Sequence, residues 1–242
     1  MSLKIRVIAE GDYALFCRPE MKSERVSYDV PTVSALEGLI KCVYWKPAFR
    51  ICIDKIIVFN PIHFTNIRRN EVKSKVSLSA VKAQMKGKGS PVLYADEERS
   101  QRASMLLRDV KYGIEFHLEM TGFQCQKEDE NVKKHYHIMM KRLQSGKCFR
   151  QPCLGCREFS VKKLEMIPED ADFDYSQISP ELKGDTDLGF MLYRMKFADR
   201  GIPKNHDWEN PQFSDKADAL YYRPHMIDGV IDVNRYRRDA IC

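Results

Sequence analysis

The stretch Val110–Met120 alternates without a slip. Val110, Tyr112, Ile114, Phe116, Leu118 and Met120 point one way, and Lys111, Gly113, Glu115, His117 and Glu119 the other. A period of two sustained over that length fits a strand with one face in a core. A strand of this kind needs partners, and the chain offers three. Leu3–Ala9 sets Leu3, Ile5 and Val7 against Lys4, Arg6 and Ile8, and Gly11, Asp12 and Tyr13 follow as a turn or bulge. Phe49–Phe59 is rich in β-branched and aromatic residues, with the alternation slipping near Lys55, and Gly155–Ile167 supplies a further strand.

Two segments carry helical spacing instead. Val33, Leu36, Ile40 and Val43 repeat on one face, Pro31 suits the first turn, and Pro47 forces an end near Trp45 and Lys46. Asn131 is a good helix cap behind the acidic run Glu128, Asp129 and Glu130. Val132, Tyr136, Met139, Met140 and Leu143 then form one buried stripe, and Gly146 supplies the stop. Off that stripe, Lys134 with Lys141 and His135 with Arg142 make two adjacent basic rows. An imidazole beside an ammonium in the first turns of a helix suits acid–base work on a phosphate. The plainer reading of these rows is a solvated basic face.

The order strand–helix–strand–strand–helix–strand predicts an α+β, ferredoxin-like (RRM-like, split βαβ) domain over residues 1–167. Its two helices lie side by side and antiparallel on one sheet face. Tyr44, at the end of the first, should therefore meet Lys134 and His135, at the start of the second. Residues 62–103 form a long basic insertion with no sustained period, and a connection that long is usually functional or mobile. Residues 168–242 are expected to form a small antiparallel β extension, from the strand-like runs Gly189–Phe197, Ala219–Arg223 and Gly229–Val233.

The chain has 242 residues and a formal net charge of +6, compatible with a polyanionic partner without demanding one. Distribution says more than the total. Arg68, Arg69, Lys73, Lys75, Lys82, Lys86 and Lys88 face one acid, Glu71, within their stretch, whereas acids crowd the stretch from Glu165 to Asp187. A polyanion would choose the first side. Lys4, Arg6 and Glu10 interrupt any secretory core, no run is long enough to span a membrane, and the eight cysteines read as reduced thiols of a cytoplasmic protein. Cys148, Cys153 and Cys156 have the spacing of part of an iron–sulfur ligand set, without a fourth cysteine nearby. No metal and no cofactor are expected. A metal-binding domain around these thiols is the third reading of function, and elemental analysis would decide it.

GDYALF (Gly11–Phe16), VPT-x-x-ALEGL with VYWKP (Val30–Pro47), IRRNEV (Ile67–Val72), KHY (Lys134–Tyr136), LGCREF (Leu154–Phe159) and DLGFMLY (Asp187–Tyr193) occur in this order. Together they resemble the Cas-five family of CRISPR-associated proteins, in the subtype of type I-C (Dvulg) systems. The resemblance implies an RNA-binding subunit of the Cascade interference complex. It further implies an endoribonuclease that cuts CRISPR precursor RNA near the 3′ base of the repeat hairpin and then holds the 5′ end of the guide. The family's catalytic tyrosine, lysine and histidine fall on Tyr44, Lys134 and His135, the three residues that the topology brings together.

The implied reaction is metal-independent attack by the substrate's own 2′-hydroxyl, leaving a 2′,3′-cyclic phosphate and a 5′-hydroxyl. His135 suits proton transfer, Lys134 suits the developing phosphate charge, and Tyr44 suits orienting the 2′-hydroxyl or donating to the leaving oxygen. Arg68, Arg69, Lys73, Lys141, Arg142 and Arg157 are the expected RNA contacts. The strand face bearing Glu115 and Glu119 has no aromatic stacking platform, so RNA is expected along the helix ends and the insertion. Precursor RNA, mature guide RNA and other type I-C Cascade subunits are the expected partners, with weak binding of double-stranded DNA as a further expectation. The competing reading is a non-catalytic subunit of the same fold that caps the guide 5′ end.

Overall fold

The computed structural model describes residues 3–21, 23–89, 91–121, 131–199, 204–207, 210 and 212–237. The acidic run Glu128–Glu130, together with Trp208 and Cys242, lies outside them. In chain order the strands are β1 (Lys4–Ala14), β2 (Arg25–Val26), β3 (Phe49–Val58), β4 (His63–Val72), β5 (Arg99–Met120), β6 (Lys163–Met166), β7 (Asp185–Asp187), β8 (Met191–Phe197), β9 (Ala217–Tyr222), β10 (His225–Ile227) and β11 (Val230–Asp232). The α-helices are α1 (Val33–Val43), α2 (Leu78–Met85) and α3 (Val132–Gln144).

β5 is the spine. Its C-terminal half pairs antiparallel with β1 on one side and with β3 on the other, with a register shift between Ile53 and Lys55 where the alternation of β3 slips. β6 adds to the free edge of β1, giving the order β6-β1-β5-β3. Residues 1–167 thus contribute an antiparallel sheet with α1 and α3 as its connections. α1 lies over β3, α3 lies over β5 and β6, and the two helices touch. Both helices start at side-chain caps: Thr32 accepts from the Ala35 N–H, and Asn131 from the Lys134 N–H at 3.0 Å. α1 stops at Tyr44, whose backbone is extended, three residues before Pro47. Gly146, at φ +64°, ends α3.

Three expectations need correction. Residues 62–103 are not a patternless loop: β4 pairs with the N-terminal half of β5 from His63 opposite Arg108 to Val72 opposite Arg99, making a ribbon to which the short β2 adds in parallel at Ser104 and Met105. β4 escapes a hydrophobic reading because its half-buried face carries Thr65, Ile67, Arg69 and Glu71, mostly polar residues. The strand expected over Gly155–Ile167 shrinks to β6, since residues 153–160 form a turn closed by a Cys153–Ser160 bridge. Gly155 sits there at φ +89°, where a Cβ would lie 1.9 Å from the Leu15 carbonyl oxygen. Finally, the C-terminal strands do not form one sheet. β8 and β9 pair with each other, whereas β11, β10 and β7 extend the main sheet beyond β3.

The C-terminal segment also covers the second face of the sheet. Gly113 lets Phe173 approach to within 3 Å of where a Cβ would stand. Arg6 donates to the Ala171 carbonyl, and Arg237 reaches Asp54 at 3.0 Å. Glu115 is therefore only 2% exposed, compensated by Lys4 and Arg6, each at 2.8 Å. A carboxylate that deep requires such pairing. This face cannot double as an open RNA platform. Among the described residues, no helix is long and apolar enough to cross a membrane.

Candidate active site

Tyr44 and His135 meet. The Tyr44 hydroxyl lies 2.9 Å from His135 Nδ1, and which atom donates follows from the histidine tautomer. Both residues are enclosed, with His135 1% and Tyr44 7% exposed. The Phe49 ring packs on the imidazole with centroids 4.8 Å apart and on the Tyr44 ring at 5.3 Å. The loop that presents Tyr44 is tied to the end of β5: Thr121 donates its N–H to the Ala48 carbonyl and its hydroxyl to the Pro47 carbonyl.

His135 thus belongs to the buried face of α3, not to a row beside it. The physical reason lies at the crossing of the helices. α1 ends against the middle of α3, and Tyr44 spans the two-turn interval from His135 to Arg142, about 10 Å along the axis. Arg142 occupies the far end of that interval. Its guanidinium sits 5.2 Å from the Tyr44 ring centroid and donates to the Val43 carbonyl at 3.1 Å. The last carbonyls of α1 lack helical partners. Arg142 and the N–H groups of Phe149 and Arg150, both directed to the Cys42 carbonyl, satisfy them. Arg142 is therefore a positioning contact for Tyr44 as well as a cation. Spacing placed it in the row with His135 but could not show that Tyr44 fills the interval between them.

Lys134 is half-buried beside His135, and Lys141 is exposed. A cavity of about 210 Å³ opens next to this crossing, between Val43, Arg142, Gly146, Cys148 and Lys162. The site thus pairs a phenol with an imidazole, preceded in the helix by Lys134, with two further cations, Arg142 and Lys162, lining the adjacent hollow.

The other expected RNA contacts lie elsewhere. Arg68 stands opposite Ala103 on the ribbon, whereas Phe49, against the dyad, stands opposite Met120. At ~3.3 Å per strand residue, that separation is on the order of 50 Å along β5. Arg68 and Lys73 are exposed, with Lys73 3.9 Å from Glu98. Arg69 is committed: it bonds Glu71 and Glu158, each at 2.9 Å, and the Ser104 hydroxyl at 3.1 Å. Exposed Arg157 precedes Glu158 and so lies with the ribbon group, not with the dyad.

Cys148, Cys153 and Cys156 do not gather into one donor set. Among the described residues, one trio of potential metal donors lies close together, Cys52, His117 and Glu119, within 4.8 Å of one another. Charges of both signs already balance there: His117 bridges Asp54 at 2.8 Å and Glu119 at 3.1 Å, Arg50 pairs with Glu119, and Arg237 pairs with Asp54. The hydrogen bond to Asp54 holds the His117 imidazolium above its usual range, and the bond from His117, then Arg50, holds Glu119 down at about 2. This is an ion-pair network.

The fold and the site define an α+β protein that brings a tyrosine and a histidine together at a helix crossing, with a lysine preceding the histidine, residue types suited to moving protons at a phosphate. The chain belongs to a CRISPR-associated family: the family described as "CRISPR-associated protein (Cas_Cas5)" matches residues 3–234. It is 41% identical over 243 residues to a protein of Mannheimia succiniciproducens named CRISPR pre-crRNA endoribonuclease Cas5d, with 100% of this chain and 99% of the relative covered. A protein of the same name from Thermus thermophilus is 32% identical over 202 residues, covering 83% of this chain and 77% of the relative. A solved CRISPR-associated protein superposes with a TM-score of 0.60 at 24% identity, covering 96% and 91% of the two chains. A functionally uncharacterized protein from Streptococcus mutans gives 0.59 at 25% identity, covering 95% and 91%.

Proposed function

We propose that this chain is an endoribonuclease that cuts CRISPR precursor RNA within the repeat and remains on the guide as a Cascade subunit. The observation that carries the proposal is the Tyr44–His135 hydrogen bond beside Lys134, in a chain 41% identical across its length to a protein named for that activity. The order β6-β1-β5-β3, with α1 and α3 as crossovers, supports reading residues 1–167 as a ferredoxin-like domain. Residues 168–242 then serve as an extension that widens the sheet and covers its second face. A soluble, cytoplasmic setting and weak contact with double-stranded DNA complete the proposal.

In the proposed reaction the 2′-hydroxyl attacks the adjacent phosphate. Three things must be supplied: a base for its proton, charge for the phosphorane and an acid for the 5′-oxygen. Tyr44 engages Nδ1 of His135 and fixes the ring, and Nε2 is the nitrogen proposed to exchange a proton with substrate. The Lys134 ammonium stabilises the charge that grows on the non-bridging oxygens. Arg142, in the hollow beside the dyad, suits a neighbouring phosphate, whereas Lys162 on the same wall already pairs with Asp12 at 2.9 Å. The enclosure of His135 requires that RNA displace part of its cover to reach Nε2, so an opening at the helix crossing forms part of the proposed mechanism.

That same enclosure favours a second reading, in which the dyad pins α1 to α3 and the chain only caps the guide. Incubating purified protein with its repeat RNA, with and without chelator, separates the two. Cleavage that survives chelator supports the nuclease, and intact RNA with retained binding supports the cap.

A further inference from the structure

Cys17 and Cys156 are 139 residues apart in sequence, yet their Sγ atoms lie 3.9 Å apart. Both thiols are anchored by their backbones. The Leu15 N–H donates to the Leu154 carbonyl at 3.0 Å, so each cysteine stands two residues beyond the same cross-chain bond. Cys17 is held from its other side by the bridge to Ser27. Cys156 is held by the turn in which the Phe159 N–H donates to its carbonyl, next to the close approach of Gly155 to Leu15. The sulfurs need to close by about 1.9 Å to reach a disulfide length.

The surroundings favour reaction over inert packing. Cys17 is exposed and Cys156 partly so, whereas Cys42 and Cys52 are buried. Arg25 Nη1 lies 3.9 Å from Cys156 Sγ. The charged groups around the pair are Arg25 and Arg69, with Glu71 and Glu158 as their carboxylate partners. We propose that Cys17 and Cys156 are a thiol modification site, oxidised by a small peroxide to a reversible disulfide that clasps the loop after β1 to the turn at Gly155.

The chemistry balances. The Cys17 thiolate attacks one peroxide oxygen, forming an S–O bond as the O–O bond breaks and hydroxide leaves. Cys156 sulfur then attacks the sulfenic sulfur, the S–S bond forms, and the hydroxyl departs as water. Two thiols lose two electrons, and hydrogen peroxide becomes two waters. Cys17 is the attacking group because the hydrogen bond from Cys156, reinforced by Arg25 and Arg69, lowers its thiol to about 7, while the Cys156 thiol is pushed up. External thiols reverse the bond by exchange, as suits a reducing compartment.

The test uses the full-length protein in its native state. Hydrogen peroxide at pH 7, followed by blocking and peptide mass spectrometry, should yield an intramolecular Cys17–Cys156 cross-link that dithiothreitol removes. Cys17→Ser should abolish the cross-link and leave Cys156 thiol unoxidised; Cys156→Ser should trap a dimedone-reactive sulfenic acid on Cys17. Iodoacetamide labelling should show a Cys17 midpoint near pH 7. At pH 7, Cys17 should label at least about threefold faster than exposed Cys148, after allowing for the lower nucleophilicity of a lower-pKa thiolate. A Cys17 midpoint at or above that of an ordinary thiol would overturn the proposal. So would peroxide products spread over the other thiols, or a cross-link that depends on protein concentration.

Discussion

Tyr44→Phe removes one oxygen and leaves the ring that packs on Phe49 and under Arg142. The lost atom is a hydrogen-bond partner of a nitrogen on a residue 1% exposed. Losing a partner inside a protein costs about 1–3 kcal/mol, because the remaining group stays desolvated. For a chain of this size, ~2–4 °C of Tm accompanies each kcal/mol, so the melting point should fall by roughly 2–12 °C. Catalysis should fall further if the hydroxyl fixes the imidazole or passes a proton, since positioned proton transfer is worth ~10²–10⁴-fold. Single-turnover cleavage of repeat RNA, at saturating protein and well below the melting point, separates the two effects. The expected result is a rate loss of at least about 100-fold with RNA affinity within about threefold of the parent. A lower melting point with an unchanged rate would refute the catalytic role of the dyad and leave Tyr44 as a helix pin.

Three further outcomes follow from the geometry. Replacing Arg68 and Lys73 with Ala should lower the slope of log affinity against log salt by about 1.4, at ~0.7 per phosphate contact, yet spare the single-turnover rate, because the ribbon is far from the dyad; salt titrations of binding check this. Gly155→Ala should destabilise by more than about 1–2 kcal/mol, the penalty for left-handed backbone alone, because its Cβ also meets the Leu15 carbonyl; urea denaturation measures it. For the ion-pair network, Glu119 is depressed, so its contribution is present above its ordinary 4.5 and is lost as pH falls toward about 2. His117 is raised, so its contribution is full below 6.5 and is lost as pH climbs through its elevated value. The network should stabilise most between about pH 4.5 and 6.5, and in His117→Gln the decline above pH 6.5 should flatten; an unchanged profile in urea midpoints would contradict the pairing.

Much of this was legible because period and cap agree where a face is buried. Val110–Met120, Val33–Val43 and the stripe from Val132 to Leu143 each declare one buried side, and Asn131 marks the start of α3, whereas Pro31, expected in the first turn of α1, precedes its cap Thr32. The ribbon was not legible, because the half-buried face of HFTNIRRNEV is Thr65, Ile67, Arg69 and Glu71, mostly polar residues, so the strand has no hydrophobic period. Burial of the strand face carrying Glu115 was hidden for a different reason. Its cover comes from Phe173 and Arg237, far along the chain, and local alternation reports polarity, not what lies over it. The meeting of Tyr44 with His135 could be read from topology, while the depth of the pair could not, since it depends on where α1 crosses α3. Arg69 shows the same limit: as one of a run of cations it resembles a phosphate contact, yet Glu71 and Glu158 already hold it.

In the proposed mechanism the attacking atom belongs to the RNA, and Tyr44, Lys134 and His135 serve it. A single 2′-deoxy substitution just upstream of the scissile phosphate tests this directly. Cleavage of that RNA should be undetectable with binding essentially unchanged, while the all-ribose control should give a 2′,3′-cyclic phosphate and a 5′-hydroxyl in the presence of chelator. Efficient cutting of the deoxy-substituted RNA, or cleavage of the control only when Mg²⁺ is added, would contradict it.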